Sequence, residues 1–347
     1  MTATVVETAE SRPPLATRTR VVYVIGMVLL VGLGLFLLYK AVTVPAQFAN
    51  AVVSGINNGA LYALVALGYT MVYGIIELIN FSHGDLFMLS TIFAAFVIVT
   101  TFGATTADWW SALAIGVALV VVMAGAGGVN MAAERLAYRR LRRAPKLAPL
   151  ITAVGLSFVY QFVGIRTNGS AQKSWNTVLG DSGFYIGPIF IHWSSVVVIA
   201  VTVPLLLLMT WLVQSTRQGR AMRATAQDQD AARLMGIDVD RTIAFTFGLG
   251  GALAGAAGVL YLESVGTTRW DLGFRLGLYA FTAAVLGGIG NLQGAVLGGF
   301  LIGIIQNIND SLVFGQKWSQ TVGFGILIIL MVFKPEGILG KPTTEKV

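Results

Sequence analysis

The sequence predicts an all-α, polytopic membrane protein with about ten transmembrane helices, and three observations support this fold class. Hydrophobic residues make up 56% of the 347 residues, charged residues make up only 11%, and the mean hydropathy is +0.77. A globular domain of that composition would lack the polar groups needed to cover its surface. The apolar residues fall in runs close to the roughly 20 residues that span a bilayer. The basic residues are confined to the short segments between these runs.

The elements follow one another as ten apolar stretches. Residues 1–20 are polar and without apolar periodicity, which predicts a flexible cytoplasmic tail. The first stretch is too long for the apolar core of a cleaved signal peptide, so we expect a retained anchor. The second is longer than one span and interrupted by Gly and Asn, which is typical of a tilted or broken helix. The predicted spans are 21–39, 48–76, 86–102, 109–129, 147–165, 195–213, 242–262, 276–290, 294–308 and 318–333.

The segments between the spans differ in character. Residues 167–194 are polar and predict an outer loop long enough to hold a short helix or strand. Residues 263–275 predict a second outer segment. The Gly-flanked turn 291–293 is so short that the spans on either side should form an antiparallel hairpin. Residues 335–347 predict a cytoplasmic C-terminal tail.

The distribution of Lys and Arg predicts the orientation. Seventeen of the 23 basic residues fall in four segments that the ten-span arrangement places in the cytoplasm, including a six-residue cluster in 134–146. This agrees with the positive-inside rule, and dropping one span would place a basic cluster outside. The outer side receives the other six: Lys40, Arg166, Lys173, Arg269, Arg275 and Lys317.

The chemistry of the side chains argues against catalysis and against bound cofactors. The chain has no cysteine, and its two histidines, His83 and His192, are far apart, so we expect no metal site. No set of residues suited to nucleophilic or acid–base catalysis is present. The end of a P-loop is suggested by Gly340-Lys341, but Pro335 and Pro342 stand where that motif needs Gly and Ser or Thr. The chain therefore should have no ATP site of its own.

The soluble segment 217–241, within the membrane region, predicts a short docking helix. Thr225 followed by Asp228 has capping-box spacing, so the helix should begin at residue 226, and Gly236 is its natural end. Three apolar side chains share one face of it: Ala231, Leu234 and Met235. About 15 Å of helix is too short to cross a bilayer. An ordinary charged loop is the alternative interpretation.

Polar side chains inside the spans predict a translocation path, because each is costly in lipid unless it is paired or faces water. Helical spacing puts Asn58, Tyr62, Tyr69 and Tyr73 near one face of the second span. Hydrogen bonds between helices are the alternative role. The candidate path residues are Asn57, Asn58, Tyr62, Tyr69, Thr70 and Tyr73.

Two further polar groups have open roles. The first is a candidate gate or a solvated helix end, and its members are Asn80, Ser82, His83 and Asp85. We expect His83 to be structural rather than a pH switch. The second group crowds the outer end of the ninth span, where it could meet a substrate, a binding protein or water: Gln306, Asn307, Asn309 and Asp310.

Glycine spacing predicts close helix packing. Pairs four residues apart let helix backbones approach each other in lipid. These pairs are Gly251 with Gly255, Gly294 with Gly298, and Gly299 with Gly303.

Three stretches carry a family resemblance. The run 230–236, DAARLMG, resembles the Glu-Ala-Ala-x-x-x-Gly loop of bacterial ABC importer permeases, with Asp230 in place of Glu and with Ala231, Ala232 and Gly236 matching. Residues 57–85, NNGALYALVALGYTMVYGIIELINFSHGD, and 278–299, LYAFTAAVLGGIGNLQGAVLGG, are similar to branched-chain amino acid permeases. The resemblance covers most of 48–340 and not the first twenty residues.

This resemblance implies an ABC importer permease bundle over 21–334, with a cytoplasmic coupling loop at 214–241. Its partners would be a second homologous permease, two ATP-binding subunits and an extracytoplasmic binding protein, in a bacterial inner membrane with both termini cytoplasmic. The substrate would be a branched-chain amino acid or a relative such as another amino acid, an amide, urea or a small organic acid. The residues that would couple the permease to the ATP-binding subunits are Thr225, Asp228, Asp230, Ala231, Ala232, Leu234, Met235 and Gly236.

Two other functional classes remain as alternatives. A gradient-driven carrier or channel would need an ionisable pair at the centre of the bilayer. The candidates for such a pair, Glu77 and Asp85, flank a predicted loop. A signalling or scaffold protein would explain neither the polar face of the second span nor the capped cytoplasmic helix.

Overall fold

The computed structural model describes residues 31–340 except 33, 78–79, 105–107, 143, 146, 176, 180–181 and 335. A π-helix, Phe96–Thr101, continues the α-helix Ser82–Ala95, and a π-helix, Glu134–Tyr138, with a 3-10 turn, Arg139–Leu141, continues the α-helix Trp109–Ala133. The α-helices are α1 (Gly34–Thr43), α2 (Pro45–Ile76), α3 (Ser82–Ala95), α4 (Trp109–Ala133), α5 (Leu147–Asn168), α6 (Trp193–Ser215), α7 (Arg217–Gln227), α8 (Gln229–Leu234), α9 (Val239–Val265), α10 (Leu272–Gly287), α11 (Leu292–Leu312) and α12 (Ser319–Phe333).

Side-chain caps set several helix boundaries. The carboxylate of Asp108 accepts from the Ser111 backbone N–H at 2.8 Å at the start of α4. At the start of α9, Asp238 accepts from the backbone N–H of Arg241 at 3.0 Å. These bonds satisfy amide groups that have no partner within the helix. Gly266 ends α9 with a φ of +68°, a conformation that favours glycine.

Eight helices of the described chain are long and apolar enough to cross a membrane. They coincide with the second to seventh, the ninth and the tenth predicted spans. The eighth predicted span corresponds to α10, a shorter apolar helix of 16 residues. The first predicted span, 21–39, lies largely outside the described residues, as does most of the predicted C-terminal tail 335–347, and the tail 1–20 lies entirely outside them. The fold is therefore an all-α polytopic membrane protein, and the total of ten spans stays a prediction.

Short strands occupy the predicted outer segments. β1 (Lys173–Ser174) pairs antiparallel with β4 (Thr267–Thr268), and β2 (Gly183–Ile186) pairs antiparallel with β3 (Ile189–His192). The expectation of a short element within 167–194 is confirmed. Since β1 and β4 lie far apart in the sequence, their pairing ties the connection after α5 to the connection after α9.

The chain divides into two compact units, Met1–Ala49 and Asn50–Val347. The second unit is organised around α2 and α9, whose residues are mostly buried. Helix α9 packs against α3 and α4, and α10 packs against α3, α11 and α12. Helices α5, α6 and α12 leave most of their apolar surface exposed, as expected for the boundary of a membrane bundle.

Glycine allows α2 and α11 to meet backbone to backbone. A Cβ added at Gly303 would lie 2.3 Å from the backbone N of Gly59, and one added at Gly299 would lie 2.5 Å from Ala63 Cα. We call this contact the glycine seam. Gly251 approaches the backbone of α4 in the same way, with an added Cβ 2.5 Å from Ala126 O. The predicted role of the glycine pairs in close packing is confirmed.

The hairpin predicted from the short turn 291–293 is confirmed, but the turn itself is 288–291, because Asn291 caps α11 and the helix begins at Leu292. Gly288 and Gly290 have φ values of +105° and +90°, and α10 packs along α11 as an antiparallel hairpin. The backbone N–H groups of Ile338 and Leu339 donate to the carbonyls of Leu286 and Gly287, at 2.8 and 3.0 Å. The C-terminal segment therefore covers the free carbonyls at the end of α10.

The start of the docking helix differs from the prediction. Thr225 lies buried inside α7, a helix that begins after Thr216, whose hydroxyl accepts from Gly219 N at 3.0 Å. The cap of the short helix α8 is Asp228, which accepts from Asp230 N and Ala231 N at 2.8 and 3.0 Å. The capping-box interpretation of Thr225 is wrong, because α7 continues through that residue.

Candidate functional site

A polar recess of about 760 Å³ opens at the end of the second unit that carries β1 and β4. We call this the outer recess, and the end that carries α7 and α8 the basic end. Two of the predicted path residues, Asn58 and Tyr62, line the recess from α2. Opposite them, α10 and α11 contribute a wall of polar and charged side chains. This wall contains Arg275, Tyr279, Gln306, Asn307 and Asp310.

Hydrogen bonds and ring contacts hold the walls of the outer recess. The Tyr62 hydroxyl donates to Gln306 Oε1 at 2.6 Å, and the Tyr62 ring stacks on Tyr279 with centroids 5.6 Å apart. Asp310 accepts from Asn309 Nδ2 at 3.1 Å and from the hydroxyl of Ser319. These contacts fix polar groups before any solute arrives, which lowers the ordering cost of binding.

An apolar groove of about 540 Å³ lies between α5 and α10. Its lining includes a third predicted path residue, Tyr69, together with Phe81, Phe158 and Phe281. Ser157 and Gln161 of α5 also line it, and both donate to Oδ2 of the buried Asp85, Gln161 at 3.2 Å. The groove therefore combines aromatic walls with a hydrogen-bonded carboxylate beside it.

The other candidate gate residues are buried with Asp85, so they do not form a solvated helix end. Asn80 Oδ1 accepts from the hydroxyls of Ser82 and Tyr138, at 2.6 and 2.8 Å. The His83 ring packs edge-on against Tyr69 with centroids 4.8 Å apart. The four residues thus make three separate sets of contacts, and their role as a gate stays a prediction.

The remaining path residues have environments of their own. Asn57 donates to the hydroxyl of Ser264 at 2.8 Å, which joins α2 to α9. Thr70 is buried and borders a small cavity near Gly290, and Tyr73 is half-buried. The six predicted path residues therefore do not share one cavity, because the packing of α9, α10 and α11 divides the polar face of α2.

The short helix α8 presents apolar side chains at the basic end. Leu234 and Met235 are 89% and 83% exposed, while Ala232 is buried beneath them. Gly236, with a φ of +81°, ends the helix as predicted, and Asp230 pairs with Arg233 at 2.7 Å. Exposed Leu and Met beside each other at a helix end are typical of a surface that another protein covers.

Ion pairs near α8 join the segment that follows α4 to the start of α9. Arg142 contacts both Glu134 and, at 2.7 Å, Asp240, and Arg139 also contacts Asp240. Glu134 is fully buried, so its charge depends on Arg142. A recess of about 640 Å³ lies between this cluster and α8.

Several residues of these sites were not singled out from the sequence. Tyr279, Tyr138, Ser157 and Gln161 each contact a residue on another helix, and Arg275 lines the outer recess. The one feature in the sequence that could have pointed to these residues is a polar side chain within or beside an apolar run. Among the described residues no cluster of three or more His, Asp or Glu has a geometry that would hold a metal ion.

Comparison with known proteins agrees with this architecture. The family described as "Branched-chain amino acid transport system / permease component" matches residues 51–332. The high-affinity branched-chain amino acid transport system permease protein BraD of Pseudomonas aeruginosa is 38% identical over 308 residues, covering 87% of this chain and 98% of the relative. LivH of Escherichia coli K12, with the same description, is 38% identical over 307 residues, covering 86% and 98%.

A more distant relative is the probable branched-chain amino acid transport permease protein LivH of Methanocaldococcus jannaschii, which is 29% identical over 81% of this chain and 89% of its own length. No solved structure matches the chain. The matched region contains α3 to α11 and nearly all of α2 and α12. This multi-pass membrane protein therefore belongs to the family of branched-chain amino acid transport system permease components.

Proposed function

We propose that this chain is the membrane subunit of an ATP-driven importer that carries branched-chain amino acids into a bacterial cell. Its relatives are named as permeases of high-affinity branched-chain amino acid transport systems. In this proposal a second homologous permease completes the pathway, two ATP-binding subunits supply the energy, and an extracytoplasmic binding protein delivers the substrate. The chain itself uses no cofactor and catalyses no reaction.

The observation that carries the proposal is the exposure of Leu234 and Met235 on α8. Water-exposed apolar side chains are stabilised when a partner buries them. A groove of about 340 Å³ beside α8, lined by Ala231, Ala232 and Met235, gives a partner a second contact surface. We assign this partner to the ATP-binding subunit, because the sequence of α8 resembles the coupling loop of ABC importers.

The proposed orientation follows from the placement of α8. An ATP-binding subunit works in the cytoplasm, so the basic end faces inward, and 214–241 is the coupling loop. Both termini and the tails 1–20 and 335–347 are then cytoplasmic, and the membrane is the bacterial inner membrane. The outer recess faces the binding protein. Substrate would pass from Asn58 and Tyr62 toward the apolar groove, with Asn80, Ser82, His83 and Asp85 as the gate.

The test uses the complete importer reconstituted in liposomes. Leu234→Asp places a charge in the contact with the ATP-binding subunit, so binding-protein-stimulated ATP hydrolysis should fall to its basal level. The permease should still insert and purify, because Leu234 packs on nothing that the bundle needs. Arg217→Gln, also exposed and in the same loop, is the control and should retain stimulation.

Two outcomes would overturn the proposal. Full stimulation in Leu234→Asp would remove the docking role of α8. Leucine uptake by this chain without any ATP-binding subunit would instead identify a gradient-driven carrier.

A further inference from the structure

The outer recess contains charged side chains of both signs that are not paired with each other. Arg275 of α10, Asp310 of α11 and Lys317, which precedes α12, all line it. Within the described chain none of the three forms an ion pair with an oppositely charged residue. Arg275 and Asp310 lie with Tyr279 in the wall that α10 and α11 contribute to the recess.

The carboxylate of Asp310 is held in place for binding. Asn309 and Ser319 both donate to its Oδ1, and the Asn309 amide also contacts the Gly315 carbonyl at 3.4 Å. A carboxylate fixed by neighbours loses little freedom when it accepts a further charged donor. Arg275 is exposed, and its planar guanidinium can bind a carboxylate through two parallel hydrogen bonds.

We infer that the outer recess binds the charged backbone groups of a free α-amino acid, with Arg275 facing its carboxylate and Asp310 facing its ammonium group. This inference rests on the proposed function. A zwitterion pairs both protein charges at once, whereas a solute with one charge leaves the other protein group unpaired. Urea, simple amides and organic acids are therefore disfavoured at this site.

The rest of the lining fits the same class of solute. Leu61, Val265, Leu272 and Leu276 add apolar surface to the outer recess, where an aliphatic side chain can be covered. The volume of about 760 Å³ is larger than one amino acid needs. Recognition at this site therefore comes from the charged groups of the lining, and close packing around the side chain contributes less.

The test detects occupancy of the outer recess by protection of a thiol. Because the chain has no cysteine, Gln320→Cys at the rim gives it a single thiol. The complete importer is reconstituted without the binding protein, and N-ethylmaleimide modification at position 320 is followed by mass spectrometry. Saturating leucine should slow modification about fivefold. Tyr185→Cys, exposed on the β2–β3 hairpin, is the control and should be unaffected.

Analogues lacking one charge test the pairing. Leucinamide lacks the carboxylate and 4-methylpentanoate lacks the ammonium group, and each should need about a tenfold higher concentration than leucine for equal protection. Arg275→Gln should weaken protection by leucine about tenfold and erase the difference between leucine and leucinamide. Lys173→Gln removes an exposed cation at the same end that does not line the recess, and should leave protection unchanged.

The same preparation separates failure of this inference from failure of the proposed function. ATP-dependent leucine uptake with the binding protein is measured on Gln320→Cys. Uptake without protection, or equal protection by leucine, 4-methylpentanoate and urea, would overturn the recess assignment alone. Absence of uptake by the unsubstituted importer would overturn the proposed function and, with it, the inference.

Discussion

The Tyr62 hydroxyl donates to the side-chain carbonyl of Gln306 at 2.6 Å, and this bond joins α2 to α11 across 244 positions of the chain. Tyr62 and Gln306 each follow a residue of the glycine seam by three positions, Gly59 and Gly303, where no side chains separate the two helices. One side-chain pair and one backbone contact therefore set the separation of the walls of the outer recess.

Tyr62→Phe should lower the thermal stability of the purified protein. The ring and its stacking on Tyr279 remain, but Gln306 loses its donor, a change worth about 1 kcal/mol. Gln306→Leu should have a similar effect, and the double substitution should cost little more than either single one. Additive losses in the melting measurements would show that the hydrogen bond does not couple the two residues.

Gly303→Ala should impair folding much more than Gly116→Ala. A Cβ at position 303 would collide with the backbone of Gly59 at 2.3 Å, whereas one at position 116 meets nothing within 4 Å. Overpacking of this kind typically costs about 1–3 kcal/mol. The measurement is the yield and melting temperature of each variant in detergent. Equal values for the two alanine variants would contradict the close contact of α2 with α11.

Asp228→Ala should weaken coupling to ATP hydrolysis, because α8 loses its cap. The loss of about 1 kcal/mol corresponds to roughly a fivefold decrease in the population of the folded helix when that helix is marginal. Asp228→Asn keeps an acceptor and should preserve stimulated hydrolysis. Thr225→Ala, within α7, should also preserve it, and a loss there equal to that of Asp228→Ala would restore Thr225 as the cap.

Glu134→Ala should destabilise the basic end strongly, because it leaves Arg142 nearly buried with one carboxylate fewer. Breaking a buried pair in this way costs about 3–5 kcal/mol. Arg241→Ala breaks an exposed pair with Asp238 and should change stability by less than about 1 kcal/mol. Denaturant titration of both variants measures the difference, and comparable losses would contradict the burial of Glu134.

Single cysteines should report the orientation without background from this chain. Ala231→Cys on α8 should react with a membrane-impermeant maleimide only after the inner face is exposed in inverted vesicles. Tyr185→Cys on the β2–β3 hairpin should react in intact cells. Modification of position 231 from the outside would place α8 out of reach of a cytoplasmic ATP-binding subunit.

The sequence predicted the structure correctly where a single local property, such as the length of an apolar run or a glycine at a helix end, determines it. Apolar length predicted the spans from α2 onward, and Gly236 was read correctly as a helix end because a positive φ favours glycine. The start of α8 was misread because Thr225 and Asp228 are both good caps. The choice between them depends on how far α7 extends from its cap at Thr216, which the capping pattern alone does not reveal.

Contacts between residues that lie far apart in the sequence could not be predicted, for a different reason. The polar face of α2 could be predicted from the spacing of its residues. Which of these residues contacts Ser264, which contacts Gln306 and which lines the apolar groove depends on how α5, α9 and α11 pack. The periodicity of a sequence shows which residues share one face of a helix, but it does not show which other helices pack against that face. For the same reason Ser157 and Gln161 could not be assigned to Asp85, which lies on another helix.

Backbone contact along the glycine seam limits how this protein can move. Helices that touch without intervening side chains have no rotamers to rearrange, so α2 and α11 travel together, and α9 is locked to α4 at Gly251 in the same way. Under the proposed function, a displacement of α7 and α8 would therefore reach α4 through α9 with little side-chain repacking on the way.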